Sequence, residues 1–203
     1  MDRCRCKNRE ITLFETIECV LSNLEHEVFP ADRRVPAAVA LILRHGPAGP
    51  EMLFIERAKH KGDPWSGDLG FPGGKVEMSD VDACSAAKRE ALEEIGIDLA
   101  AARYLGCLAE ITGATLPVRV TCFVFALDEA PELTLNGEVQ DVFWVSLADL
   151  KDLNRHTLTP VRVKGEMVHY PAVIMPFSGK PPLWGLTYRL VKRFFELLPE
   201  GIL

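Results

Sequence analysis

The chain has 203 residues, 48% of them hydrophobic and 26% charged, the composition and length of one ordinary globular domain rather than of a disordered or fibrous chain. Its formal net charge of −6 argues against a broad nucleic-acid or anionic-membrane surface, both of which demand clustered Lys and Arg, yet admits a small anionic substrate bridged to acidic side chains by divalent cations. No run approaches the ~18 apolar residues of a membrane span, and the opening MDRCRCKNRE lacks the apolar core of a secretory signal, so the expected location is cytoplasmic.

Residues 1–10 are expected to form a mobile N-terminus and 11–203 a single domain. Cys4 and Cys6, one residue apart in that terminus, read more readily as two exposed thiols than as metal ligands. Cys19, Cys84, Cys107 and Cys122 lie inside apolar or helical segments without the paired spacing of a zinc site, and no disulfide framework is expected.

Thr12 and Glu15 form a T-x-x-E capping signature. Phe14, Ile17, Leu21, Leu24 and Val28 then recur at helical spacing up to Pro30, which predicts an amphipathic helix over 12–28. Apolar runs at Pro36 to Leu43 and Met52 to Ile55, separated by Gly46-Pro47-Ala48-Gly49-Pro50, predict a hairpin with a loose loop. From Gly62 to Gly74 the segment GDPWSGDLGFPGG is too rich in Gly and Pro for a helix or a central strand and reads as a shaped loop. Asp82 to Ile95 is helical by composition, with Cys84, Ala87, Ala91 and Ile95 in a narrow apolar stripe and Gly96 ending it. Tyr104 to Leu108, Val118 to Leu127 and Val139 to Val145 read as strands, Ser146 to Leu150 as a short helix, and 161–163 with 168–173 as a weaker strand pair. Trp184, Tyr188, Val191, Phe195 and Leu198 share one face of a docking helix over 183–198. Strands interspersed with helices point to an α/β or α+β fold with a mixed sheet, whose strand order this pattern does not provide.

The chemistry is concentrated on the helix after the glycine loop. An α-helix advances ~100° per residue, which places Glu94 about 40° from Glu90 and Glu93 about 60° to its other side. Three carboxylates within one turn repel one another, and a divalent cation is the natural compensator, since Mg²⁺ prefers carboxylate oxygens together with waters and phosphate oxygens. An acidic run such as EALEE is usually a solvated face when judged alone. Here Gly73 and Gly74 precede it, where backbone can approach a ligand closely, and Ala87 and Ala91 keep the neighbouring face thin. Arg89 either holds one carboxylate bidentately or faces the substrate.

The segment GGKVEMSDVDACSAAKREALEEIGI closely resembles the Nudix box. Matching Gly74, Arg89, Glu90, Glu93, Glu94 and Gly96 at fixed offsets by chance, at ~7% per position, is on the order of one in ten million. The chain departs from the box once: the acid after the glycine is Asp80 rather than Glu, and eight residues instead of seven separate it from Arg89. That insertion leaves the role of Asp80 open and is expected to bulge the loop at Met78 to Val81.

The resemblance implies a Nudix α/β/α sandwich, extended by the N-terminal helix and the C-terminal docking helix. It implies Mg²⁺ or Mn²⁺ held by Glu90 and Glu94 with help from Glu93 and a backbone carbonyl near Gly73, and hydrolysis of a pyrophosphate bond in a nucleoside diphosphate derivative. Glu93 and Glu138 both remain candidates for the general base, with a plain surface acid an equal reading for Glu138. The Asp form of the box, FPGG ahead of it and LWGLTYRL near the end resemble the branch that splits coenzyme A. Upstream of FPGG, the chain reads LFIERAKHKGDPWSGDLGFPGG and lacks that branch's further signature. Arg57, Lys59, His60 and Lys61 are candidates for contacting a 3′-phosphate and Trp65 for stacking on a base, against ordinary readings as solvated loop charges and a core anchor. Trp184 reads as core. Other nucleotides, such as ADP-ribose, a dinucleotide or a nucleoside triphosphate, and a non-catalytic nucleotide-binding module remain the alternatives.

Overall fold

The computed structural model describes residues 12–24, 33–60, 65–113, 117–163 and 165–202. Cys4, Cys6 and Lys61 lie outside them. Strand β1 (Val35–Gly46) is the axis of the sheet. Its run ALIL, Ala40 to Leu43, is buried on both faces, as a central strand between two layers must be. It pairs in parallel with β6 (Val118–Leu127) along ten residues and antiparallel with β2 (Gly49–Arg57) through the turn Pro47-Ala48. The expected loose loop is thus a two-residue turn, with Gly46 opposite Gly49 and Gly49 at φ +133°, the conformation that lets the strands continue to the turn. β5 (Arg103–Thr112) flanks β6, and β7 (Val139–Ser146) flanks β2.

Within the Gly/Pro-rich segment the structure adds two short strands, β3 (Leu69–Gly70) on β2 and β4 (Gly73–Lys75) on the outer half of β1. The sequence predicts only a loop there. Backbone pairing needs no side-chain pattern, and Phe71, stacked 5.3 Å from Phe54, supplies the burial that holds the segment down.

Helices cover both faces. α2 (Ala83–Ile95) lays Ala86, Ala87, Ala91 and Ile95 on Ala38, Ala40 and Ile42 of β1 and Phe123 and Phe125 of β6. Small side chains let it approach the sheet closely. On the opposite face α1 (Leu13–Ser22) and α4 (Gly185–Leu197) bring Phe14, Ile17, Leu21, Leu190, Val191 and Phe194 against Leu41, Leu43, Phe54 and Val124. The result is the expected α/β/α sandwich with a mixed sheet.

α1 stops at Ser22, with Asn23 as its C-cap, short of the expected end at Val28. Ser22 and Asn23 turn their side chains back to the carbonyls of Glu18 and Cys19, offering the backbone an exit from the helix. Val28 and Pro30 lie outside the described residues. The buried face of α4 is also rotated from the expectation: Leu190, Val191 and Phe194 are its buried residues, while Tyr188 and Phe195 are half-buried at its edges. The apolar stripe is broader than one line of the helical wheel, and α4 packs against both β5 and β9. Trp184 is half-buried; its ring lies 5.7 Å from Tyr170.

The predicted strand pair is longer than expected. β8 (His156–Val163) and β9 (Glu166–Val173) form a separate two-stranded sheet after the expected short helix, α3 (Leu147–Lys151), which Ser146 precedes as its cap. Among the described residues no helix is long and apolar enough to cross a membrane.

Candidate functional site

Three elements converge at one end of the sheet. Asp82 caps α2 by accepting the Ser85 N–H at 2.7 Å, and Gly96, at φ +75°, ends it in the left-handed conformation. The helix therefore presents Glu90 and Glu94 toward β4. Gly73 and Gly74 lie beneath them because β4 is paired with β1: a Cβ on Gly73 would stand 2.3 Å from the Ala38 carbonyl oxygen, and one on Gly74 would stand 2.4 Å from Oε1 of Glu90. Only glycine admits both the strand pairing and the carboxylate.

Glu94 is 2% exposed. Its Oε2 accepts the Gly73 N–H at 2.9 Å, and Nη1 of Arg57, at the end of β2, lies 3.9 Å from its Oε1. Burial dominates its titration and pushes the carboxyl up to about 7; the negative charges of Glu90 and Glu138 act in the same direction, while the Gly73 N–H and Arg57 oppose it. Glu90 is also raised, chiefly by burial, with Glu93 and Glu138 adding to the shift and Arg89 opposing it.

Glu138 reaches this neighbourhood through the last turn of α2. The carbonyls of Glu94 and Ile95 accept the N–H groups of Asn136 and Thr134 at 3.0 Å each, which docks the segment leading to Glu138. The Glu138 carbonyl then accepts the Ala58 N–H at 2.8 Å. Its side chain is exposed, and it is close enough for its charge to raise both Glu90 and Glu94.

Glu93 has a different setting. Its side chain is 55% exposed and its Oε2 accepts from Nη1 of Arg89 at 3.2 Å, an i,i+4 pair along the helix. Arg89 faces inward to the box. Nε and Nη2 grip Asp80 Oδ1 and Oδ2 at 3.0 and 3.1 Å, Nη1 also donates to Glu90 at 2.9 Å, and Nη2 to the Lys75 carbonyl at 3.2 Å. The Arg89 guanidinium in turn holds the Asp80 carboxyl below its usual range. Asp80, whose role the sequence leaves open, is thus the fork that orients Arg89. The extra residue is accommodated as expected, by a turn in which Met78 and Val81 project into solvent.

Of the basic candidates, Arg57 is part-buried against Glu94, whereas Lys59 and His60 are exposed on the strap that follows β2. The His60 ring lies 3.3 Å from the Gly137 carbonyl, beside Glu138. Trp65 is 36% exposed on the turn before β3, so it is not a core anchor. Trp184 donates its indole N–H to Asp68 at 3.0 Å. Sequence reasoning misses Asp68, Glu56, Asp141 and Lys180 near this end of the sheet; none belongs to a motif.

The donor set suits a hard divalent cation. Among the described residues no three His, Cys, Asp or Glu side chains converge into a closed cage. Glu94, buried, and Glu90, half-buried, instead share one open helix face on which the charge of Glu138 also acts, the kind of donor set that Mg²⁺ completes with waters and phosphate oxygens.

The NUDIX domain family matches residues 33–164, which take in the sheet, α2 and Glu138. An uncharacterised protein of Schizosaccharomyces pombe is 39% identical over 109 residues, half of this chain and 33% of that one, so the chain spans about a third of that relative's length. Human mitochondrial coenzyme A diphosphatase NUDT8 is 29% identical over 172 residues, covering 83% of this chain and 72% of its own. The NUDIX domain of Shewanella oneidensis NrtR, solved with ADP-ribose, shares the fold at a TM-score of 0.54 and 18% identity, covering 87% of this chain and 94% of that one.

Proposed function

Because the chain belongs to the NUDIX domain family, we propose that it is a metal-dependent pyrophosphohydrolase of nucleoside diphosphate derivatives, with coenzyme A or its thioesters as the favoured substrate. The observation that carries this reading is the pair Glu90 and Glu94, set on one helix face directly over the Gly73-Gly74 backbone. These two carboxylates would hold Mg²⁺ or Mn²⁺. A cation bound there supplies a water of lowered pKa and neutralises the charge that develops on the phosphoryl oxygens.

Glu138 is the favoured general base. It stands beside Glu90 and Glu94 with its side chain exposed, whereas Glu93 is engaged by Arg89. In the reaction the water oxygen bonds to one phosphorus as the bridging P–O bond breaks. The water's proton passes to the Glu138 carboxylate and the displaced phosphate leaves as an anion. Arg57, part-buried, and Lys59, on the exposed strap, would bind the substrate's anionic groups. With coenzyme A, cleavage yields a phosphopantetheine and adenosine 3′,5′-bisphosphate. Similarity to the human coenzyme A diphosphatase, together with FPGG and the Asp form of the box, supports that choice of substrate.

A substrate panel with Mg²⁺ or Mn²⁺ tests it. Coenzyme A or its thioesters should be hydrolysed in preference to ADP-ribose, dinucleotides and nucleoside triphosphates; turnover of another nucleotide with coenzyme A left intact removes the coenzyme A assignment. Glu94→Gln should abolish metal-dependent turnover. Glu138→Gln should slow it by roughly 10² to 10⁴-fold, and Glu93→Gln much less; the reverse order would return the base to Glu93.

A further inference from the structure

Two charged side chains are buried among the described residues, Glu94 and, at 6% exposure, Glu56. Glu56 lies outside the site, yet it precedes Arg57 on β2. Successive strand residues point to opposite faces, so when Arg57 turns toward α2 and Glu94, Glu56 turns to the α4 side. At this step the register against β7 slips: Glu56 faces Asp141 and Arg57 faces Val139, which leaves Gln140 as the extra residue of a β-bulge. Bulges re-aim side chains, and this one aims Arg57.

The bulge is closed by Glu56 itself. Its Oε1 accepts from Nε2 of Gln140 at 3.0 Å and its Oε2 from Nζ of Lys180 at 2.7 Å. Lys180 also bonds Asp141 and sits 4.9 Å from the Phe143 ring centre. Glu56 and Asp141, like charges on directly opposed strand positions, would repel without that ammonium between them. Four residues further along, Trp184 donates to Asp68, whose carbonyl accepts the Arg57 N–H at 3.0 Å. The segment before α4, beyond the family match over 33–164, is therefore tied twice to the end of β2.

We propose that Lys180 is a positioning residue: through Glu56 it closes the bulge and holds Arg57 at the site, so that the C-terminal segment sets how the substrate's anionic groups are bound. The substrate part rests on the pyrophosphohydrolase reading above; the coupling of Lys180 to Arg57 does not. When Lys180 is removed, two facing carboxylates lose their shared cation. Glu56 then relieves itself by turning to water, which opens the bulge and frees Arg57.

The test uses the full chain with Lys180→Met and Lys180→Arg, and Lys180→Gln in place of Met should that variant not fold. Hydrogen exchange at the Arg57 and Ala58 amides should quicken by about tenfold in the Met variant, while amides of the β1 and β6 pairing keep their protection. KM for coenzyme A should rise about tenfold with kcat within about twofold, the loss of one charge-assisted contact, and the Arg variant should restore both readouts. Unchanged exchange at Arg57, or a fall in kcat at constant KM, overturns the proposal. Quickened exchange in a protein that turns over no nucleotide supports the coupling and sinks the pyrophosphohydrolase reading instead.

Discussion

Gly73 and Gly74 are adjacent and serve different neighbours, and their alanine variants should separate fold from function. A Cβ at Gly73 meets backbone, the Ala38 carbonyl at 2.3 Å, and the residue's φ of +153° penalises any side chain. Gly73→Ala should lower stability by ~3 kcal/mol in denaturant melts, because β1 cannot move aside. At Gly74 the nearest atoms belong to the carboxylate of Glu90, the far end of a flexible side chain. Gly74→Ala should therefore leave the melt nearly unchanged and raise the Mg²⁺ concentration needed for half-maximal turnover by roughly tenfold or more. Equal metal requirements in wild type and Gly74→Ala would show that Glu90 does not need its place over the glycine. Both glycines are legible in the sequence as points of close approach. What the helical wheel cannot show is capture. Glu93 shares a turn with Glu90 and Glu94, but Arg89, four residues earlier, claims it, and Asp80 claims Arg89.

At the scale of the element, α2 is the part of the chain most completely written in its own residues. Its alanine stripe, its charged face and its Gly96 stop all follow from local sequence, and its start differs from the expectation by a single residue, making Asp82 the cap. Asp82→Ala removes the acceptor of the Ser85 N–H and should cost about 1 kcal/mol in thermal or urea melts, with no effect at the other end of the helix. Other elements are less legible because their limits are set from outside. β5 runs to Thr112, past the expected Leu108, because its pairing with β6 resumes at Ile111 after a register shift; a second shift lies near Gly106, where a Cβ would stand 2.6 Å from Cβ of Leu21. β3 and β4 exist only because β2 and β1 offer them free edges. Glu138 comes to the site because the last carbonyls of α2 bind the chain ahead of it, a contact no spacing rule encodes.

The whole molecule is held by pairings between distant residues, which is why strand order is beyond a single sequence: Val35 lies opposite Val118, and Lys180 reaches Glu56 across 124 positions. The site also weakens the whole, and the sign of that effect is testable. Glu94 has its pKa raised from 4.5 to about 7, chiefly by burial, so the folded state binds its proton more tightly than the unfolded chain does. Its stabilising contribution is fully present below pH 4.5 and is lost as pH rises through about 7, an effect on the order of 3 kcal/mol. Glu90 is raised too and acts in the same direction. Asp80 and Asp82, both lowered, act the opposite way, but only as pH falls below their ordinary value of 3.8. Between these limits the metal-free protein should become less stable from about pH 5 to about pH 8. A divalent cation binds the ionised pair and should restore stability near the upper pH in proportion to the logarithm of its concentration, with little effect near the lower one, where Glu94 carries its proton. Urea melts at both pH values, with chelator and with millimolar Mg²⁺ or Mn²⁺, decide the matter. Melts of the chelated protein that coincide at the two pH values, and that metal leaves unmoved at the higher one, would mean that Glu90 and Glu94 are not the pair that the cation relieves.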